Sequence, residues 1–180
     1  MTTKVFIDAE FTGLVQNAEL ISIGLISECG KIFYAEFNDY RSSMIDDWIR
    51  ENVISKLKYN GIWQILEETD TSVSYKSTCE NIGRKLDEWF SQFDEVEIWS
   101  DCLAYDWVLF CQIFGGAFGI QKNIYYIPFD ISTLFKIVGI NPDINREEFA
   151  RMTDNNQKHN ALWDAKVIRE CYNRALMHNL

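Results

Sequence analysis

Apolar, β-branched and aromatic residues fill three short runs within the first forty positions of the chain. The runs cover 4–8, 19–28 and 31–37, and each has the length and composition of a β-strand. Cys29 and Gly30 separate the last two runs, and glycine accepts the positive φ of a tight hairpin turn. The pattern therefore predicts three consecutive antiparallel strands.

After position 43 the spacing of apolar residues changes to three or four, which is the period of a helix. The clearest helix is predicted over 78–93, where Ile82, Leu86 and Phe90 recur at four-residue steps. Further helices are predicted near Trp48 and over 103–114, 131–138 and 160–177, further strands over 96–99 and 124–129, and a surface loop or short helix over 141–158. Strands followed by alternating helices and strands indicate an α/β domain with a mixed sheet.

Length and composition favour one soluble domain. The chain has 180 residues, of which 47% are hydrophobic, and this is enough for a single core spanning 1–180. The apolar run at the start is too short for a signal peptide, and no other run approaches the roughly 20 residues that span a bilayer. The five cysteines form no C-x-x-C pair, which indicates free thiols in a reducing, cytoplasmic setting.

The charge balance restricts the nucleic acids that the chain could bind. Acidic residues outnumber basic ones by 27 to 17, for a formal net charge of −10. Proteins that grip long duplexes usually carry a basic stripe and gain affinity by releasing counterions. The composition therefore favours a short nucleic acid, or one held by its end, over processive movement along DNA.

Asp8 and Glu10 end the otherwise apolar first strand. Side chains two positions apart on a strand point to the same side, so both carboxylates face one way. Like charges at that distance raise each other's pKa unless a cation lies between them. The pair is consistent with a metal site, and an ordinary acidic strand end is the alternative.

Three further polar residues lie at positions that favour a functional role. Asp106 interrupts the apolar segment 103–110, where a buried carboxylate needs a cation or strong donors; a helix N-terminal acid is the alternative. Asp164 falls in the first turn of the final predicted helix, and His159 precedes it by five residues. An ordinary loop histidine is the alternative for His159.

Together these residues would form an oxygen-rich metal site. Four carboxylates select Mg²⁺ or Mn²⁺ over zinc. Two such ions about 3.5–4 Å apart are the usual clamp for in-line displacement at phosphorus. A histidine with a near-neutral pKa can take the proton of the attacking water. The residues thus point to phosphodiester hydrolysis.

The order of these residues resembles a known family. The matching strings are Asp8-Ala9-Glu10-Phe11, then Asp106, then His159-x-Ala161-x-x-Asp164-Ala165. This three-motif pattern is similar to that of the DEDDh, or DnaQ-like, exonucleases. The Glu-Leu-Ile-Ser-Ile-Gly strand at 19–24, the Trp-Ile-Arg string at 48–50 and the Trp-to-Gly block at 99–115 resemble the small mycobacterial-type 3′→5′ exoribonuclease subfamily. The matches extend from 6 to 165.

The resemblance implies a ribonuclease H-like fold with a five-stranded mixed sheet. It also implies two Mg²⁺, with Mn²⁺ as a substitute, and 5′-mononucleotides as products released from 3′ ends. The implied metal ligands are Asp8, Glu10, Asp106 and Asp164, with His159 as the general base. Phe11, Thr12 and Leu14 would line the pocket for the terminal nucleotide. Phe11 would stack on a base, or belong to the core.

One position departs from the family pattern. Many DnaQ-like enzymes carry Asn four residues before the second-motif Asp, and Cys102 stands there instead. Asp101 therefore competes with Asp106 for the ligand role. We prefer Asp106, because its Tyr-Asp-Trp-Val setting fits the subfamily and Asp101 is typical of a helix N-cap.

Three functions are consistent with the sequence. An exoribonuclease is preferred on the subfamily likeness, and a DNA exonuclease is the first alternative, because contacts to the 2′-hydroxyl decide between the two sugars. A nucleotide-binding module without hydrolysis is the second. Trp48, Trp63 and Trp89 exceed what one small core needs and would suit a homodimer, with ordinary core packing as the alternative.

Overall fold

The computed structural model describes residues 1–154 and 156–177, which form seven strands and six α-helices. The strands are β1 (Thr2–Phe11), β2 (Leu20–Ser27), β3 (Ile32–Phe37), β4 (Ile65–Glu68), β5 (Ser72–Ser77), β6 (Glu95–Ser100) and β7 (Phe129–Asp130). The helices are α1 (Asp47–Asn52), α2 (Cys79–Phe90), α3 (Ala104–Ile113), α4 (Ile131–Ile137), α5 (Arg146–Ala150) and α6 (Ala161–Met177).

All seven strands join one mixed sheet in the order β4-β5-β3-β2-β1-β6-β7. The pairs β1–β2, β2–β3 and β4–β5 are antiparallel, whereas β1–β6, β3–β5 and β6–β7 are parallel. The first three strands form the antiparallel meander that the sequence predicts. The central strand β1 is therefore flanked on both sides, and its far end carries Asp8 and Glu10.

Helices cover both faces of the sheet, and β1 distributes its side chains between them. Val5, Ile7 and Ala9 belong to the core formed with α2 and α3, whereas Phe6 belongs to a second core formed with α4, α5 and α6. Since successive strand side chains alternate between faces, Asp8 lies on the α6 side with Phe6. Its position follows from the same alternation that builds the two cores.

The predicted count of five strands is wrong, because the sequence pattern does not mark the β4–β5 hairpin. β5 reads Ser-Val-Ser-Tyr-Lys-Ser and is mostly polar, yet Val73, Ser74 and Ser77 are buried. Such a sequence gives a weak apolar signal and is stabilised by pairing with β3. The predicted strand over 124–129 is also wrong: Ile124 makes an isolated bridge to Val96, and β7 begins only after Pro128, which has no N–H for a ladder.

The three tryptophans considered for a dimer interface lie in different environments. Trp89 is buried and its ring contacts those of Phe33, Phe90 and Phe93, so core packing accounts for it. Trp48 and Trp63 are 55% and 72% exposed. A homodimer stays a prediction. None of the helices in the described ranges has both the length and the apolar content to cross a membrane.

Candidate active site

The structure brings three of the sequence-predicted acids together at the end of β1. Carboxylate oxygens of Asp8, Glu10 and Asp164 lie within 4.8 Å of one another. Asp8 pairs with Gly24 across the sheet and Glu10 with Ser22, so both side chains face the N-terminal turn of α6, which carries Asp164. Two β1 residues and one α6 residue thus form a compact oxygen cluster.

Gly24 allows α6 to lie close enough to complete this cluster. A β-carbon at Gly24 would be 2.4 Å from the carbonyl carbon and oxygen of Ala161 and from the Cα of Leu162. The backbone at the start of α6 therefore rests directly on β2, beside the strand position that pairs with Asp8. The Ser-Ile-Gly string is typical of a strand, and the close approach of α6 gives its glycine a specific role in packing.

Asp106 is held at the edge of the cluster by two donors. Parallel pairing of β1 with β6 ends at Phe6 and Trp99. Beyond that point the Ala9 amide donates to Asp106 Oδ1 at 3.1 Å, and the Ser100 hydroxyl donates to Oδ2 at 3.2 Å. Asp106 is 7% exposed. It lies close enough to Asp8 for its charge to raise the pKa of that carboxyl.

Asp101, the alternative ligand, lines the cavity beside the acids but is paired with Arg146. Its carboxylate accepts hydrogen bonds from Arg146 at 2.7 and 2.9 Å and from the Ser132 hydroxyl at 2.8 Å. The expectation that Asp101 caps a helix is wrong, since the residue before α3 is Leu103, which has no side-chain cap. The ion pair links the residue that follows β6 to the first residue of α5. Asp106 is therefore the better-placed of the two acids.

Burial and repulsion from neighbouring carboxylates raise the pKa values of the acids at the site. Burial raises the pKa of Glu10 to about 8, with further contributions from Asp164 and Asp106. Burial raises the pKa of Asp106 to about 7, partly opposed by the donors from Ser100 and Ala9. The pKa of Asp164 also rises to about 7, through burial and the charge of Glu147. The pKa of Asp8 lies well above its usual range.

His159 approaches the acids from a loop in a left-handed conformation. Its φ is +64°, which is uncommon for a residue with a β-carbon. Its amide donates to Asp164 Oδ2 at 3.1 Å, and its Nδ1 lies 3.8 Å from Glu10 Oε1. Burial, followed by the positive charge of Lys158, lowers its pKa. The imidazole is therefore predominantly neutral at physiological pH.

The three residues predicted to contact a nucleotide differ in accessibility. Phe11 packs against the core and its ring stacks on Tyr105 at 5.6 Å between centroids. Thr12 is 5% exposed, and its hydroxyl accepts from the Glu19 amide at 3.0 Å, which closes the following loop. Leu14, in contrast, is 74% exposed. Only Leu14 has most of its side chain free for a ligand.

A cavity of about 290 Å³ opens beside the acids. Its lining includes Asp8, Asp164 and His159 and the ion-paired Asp101 and Arg146, and adds Glu147 and Lys158. Glu147 Oε1 accepts from the Trp163 indole at 3.3 Å. Sequence reasoning missed these two residues because they lie in the polar stretch 141–158, where no apolar period or motif marks individual positions.

Residues 3–176 match the family model for the Rv2179c-like 3′-5′ exoribonuclease domain. The chain belongs to this family. Two curated relatives are the 3′-5′ exoribonucleases MT2234.1 and Rv2179c of Mycobacterium tuberculosis, from strains CDC 1551/Oshkosh and ATCC 25618/H37Rv. Each is 28% identical over 116 residues, which are 62% of this chain and 61% of the relative. The resemblance inferred from the motifs is confirmed.

Two solved structures share the fold at low sequence identity. The RNase domain of the yeast Pop2 protein is similar with a TM-score of 0.59 and 13% identity, over 97% of this chain and 77% of that one. The Neurospora crassa Pan2 catalytic unit, with protease and nuclease domains, gives 0.53 and 16%, over 97% and 27%. The predicted ribonuclease H-like α/β fold is confirmed.

Proposed function

We propose that this chain is a 3′→5′ exoribonuclease that hydrolyses phosphodiester bonds at RNA 3′ ends and releases 5′-mononucleotides. The observation that carries the proposal is the cluster of Asp8, Glu10 and Asp164, whose carboxylate oxygens lie within 4.8 Å of one another beside His159. Membership of the exoribonuclease domain family supports it. The alignment with the curated relatives covers less than two thirds of their length, so their activity is carried over as part of the proposal.

The acids fit a divalent cation, and we propose two Mg²⁺, replaceable by Mn²⁺. All the donors are hard carboxylate oxygens. Burial and neighbouring carboxylates raise the pKa values of Asp8 and Glu10, so a bound cation would favour their charged forms. Asp8, Glu10 and Asp164 would hold the ions directly, with Asp106 at the edge. When bound, the ions would supply positive charge to the phosphate and acidify a water.

Side chains of the protein would perform the proton transfer and the orientation. His159, with its lowered pKa, is a neutral base whose unprotonated ring nitrogen can accept the proton of a water attacking phosphorus. The Ala9 amide and Ser100 hydroxyl fix the Asp106 carboxylate in one orientation. Leu14, exposed beyond the strand end, would contact the terminal nucleotide.

The negative net charge of the chain favours action at the end of a nucleic acid. The net charge of −10 disfavours binding along a long duplex, whereas Lys158 supplies a positive charge at the cavity itself. RNA is proposed over DNA because both curated relatives are named exoribonucleases. The free cysteines of the described residues suit a reducing, cytoplasmic compartment.

A time course on 5′-labelled oligonucleotides tests the function. Purified protein with Mg²⁺ or Mn²⁺ is incubated with single-stranded RNA, with RNA duplexes bearing blunt, recessed or overhanging 3′ ends, and with matched DNA. We expect stepwise shortening of RNA from the 3′ end and release of nucleoside 5′-monophosphates. Asp8→Asn is the inactive control. Shortening of DNA alone, or nucleotide binding without turnover with either metal, would overturn the proposal.

A further inference from the structure

A tryptophan from a separate element contacts the imidazole of His159. Trp48 lies on α1, and its ring centroid is 5.1 Å from that of His159, with an angle of 73° between the ring planes. This is the edge-to-face geometry that aromatic rings prefer. The two residues are far apart in sequence, so the contact depends on how α1 is docked.

Buried apolar contacts and a helix cap fix the position of α1 on the sheet. Ile49 and Val53 are buried against Ile21 of β2, and the Asp46 carboxylate caps the helix by accepting from the Ile49 amide at 2.7 Å. Ile21 directly precedes Ser22, which pairs with Glu10. The short helix is therefore attached to the same part of the sheet that presents the acids, and Trp48 has a defined place beside them.

Hydrogen bonding within the described part of the chain does not fix the orientation of the imidazole ring. Its Nδ1 is 3.8 Å from Glu10 Oε1, which is beyond hydrogen-bond distance. Among the residues that the structure describes, the hydrogen bond made by His159 comes from its backbone amide, to Asp164. That bond fixes the main chain, whereas χ1 and χ2 are left to packing.

We propose that Trp48 is a positioning residue that keeps the His159 imidazole turned toward the acids. The inference rests on the proposed role of His159 as general base. Trp48 remains 55% exposed, so its contribution to the core is small and its removal should leave the fold intact. Without the indole ring, the imidazole would sample rotamers that point away from the carboxylates.

Imidazole resonances of the metal-free protein test the contact directly. The chain has two histidines, so a carbon–proton correlation spectrum shows two ring signals, and His178→Gln assigns them. The ring current of Trp48 should displace the His159 signal. Trp48→Ala should move that signal toward the free-histidine position, Trp48→Phe should retain part of the displacement, and Trp63→Ala is the matched control that should leave it unchanged. An unmoved His159 signal in Trp48→Ala would refute the contact.

Kinetics separate positioning from substrate binding. We expect Trp48→Ala to lower kcat about 10-fold, less than the full contribution of a general base, with KM nearly constant and partial rescue by Trp48→Phe. In a His159→Asn background, Trp48→Ala should have no further effect on kcat. A raised KM with unchanged kcat, or additive losses in the double variant, would overturn the inference. Full activity of His159→Asn alone would instead refute the proposed base.

Discussion

Gly24 and Ala161 are in backbone contact where α6 crosses β2, with space for a hydrogen but not for a β-carbon. The 2.4 Å that would separate a Gly24 Cβ from the Ala161 carbonyl is far below any normal non-bonded distance. Because Asp164 is one turn further along α6 and His159 just before it, this contact sets the distance from both residues to Asp8. A position without a functional group thus controls the geometry of the site.

Gly24→Ala should displace the start of α6 and separate Asp164 from Asp8 and Glu10. Overpacking of this kind costs about 1–3 kcal/mol, which for a chain of this size lowers Tm by about 2–4 °C per kcal/mol. We expect thermal unfolding to show that loss and RNA shortening to fall by more than 10-fold, in proportion to the misplacement.

Leu25→Ala is the matched control for Gly24→Ala. Leu25 is fully buried on the opposite face, in the core with α2 and α3. This variant should lose at least as much stability, about 2–5 kcal/mol, while retaining kcat at temperatures where it is folded. Equal loss of kcat in both variants would show that general destabilisation, and not the position of α6, limits activity.

Metal-free protein should lose stability as the pH rises toward 8. The pKa of Glu10 is raised to about 8 and those of Asp106 and Asp164 to about 7, whereas unfolded carboxyls titrate near 4. Folded carboxyls therefore bind protons more tightly, and their stabilisation is complete below about pH 4 and is lost through about pH 7–8. In chelator, Tm should fall over that interval.

Glu10→Gln isolates this effect in metal-free protein. The variant removes the carboxyl with the highest of the three pKa values while keeping its size. It should unfold at a higher temperature than the parent at pH 8 and at about the same temperature at pH 4. Parallel curves of Tm against pH for the two proteins would show that Glu10 does not titrate in this way.

Asp106→Asn and Asp101→Asn should have opposite consequences, because one acid faces the cluster and the other is paired with Arg146. Asp106→Asn removes a charge that raises the pKa of Asp8, so metal-free stability should be kept or rise while activity falls about 100-fold or more. Asp101→Asn weakens charge-assisted bonds to Arg146, for a loss of roughly 1.5–3 kcal/mol, with activity retained. Urea unfolding measures the change in stability, and RNA turnover measures the change in activity. Loss of activity in Asp101→Asn with activity retained in Asp106→Asn would make Asp101 the ligand.

The sequence predicts the chemistry of the site better than its geometry. Asp8, Glu10, Asp164 and His159 fall within two short strings, so their types and local spacing can be read directly. The contact of Trp48 with His159 is not local, because it depends on the docking of α1 onto β2. The left-handed φ of His159 has only a weak local signal, since histidine adopts it more often than most residues but far less often than glycine.

The fold shows the same difference between features with a local sequence signal and features that depend on distant residues. β1, β2, β3 and α6 have strong apolar patterns, and the sequence predicts their bounds within a few residues. β5 was missed because its neighbour β3, and not its own polar sequence, stabilises it. Asp101 illustrates the limit for single residues. Its local sequence is typical of a helix cap, but its partner Arg146 lies 45 positions away in a stretch without any apolar period.

Metal binding and proton transfer should be separable at His159. Asn suits the left-handed backbone of this position, so His159→Asn keeps the main-chain bond to Asp164 and the whole carboxylate cluster. Mg²⁺ should therefore increase the free energy of unfolding of this variant as much as that of the parent, by about 2.7 kcal/mol when the ion is at 100 times its Kd. The rise in Tm should be the same in both proteins. Turnover of RNA should nevertheless fall about 10²- to 10⁴-fold, the usual contribution of a general base.

Asp8→Asn is the complementary control, expected to lose both the Mg²⁺-dependent rise in Tm and the activity. If His159→Asn lost the Mg²⁺ effect as well, the imidazole would be a ligand and the base would have to be sought among the other residues that line the cavity, beginning with Glu147.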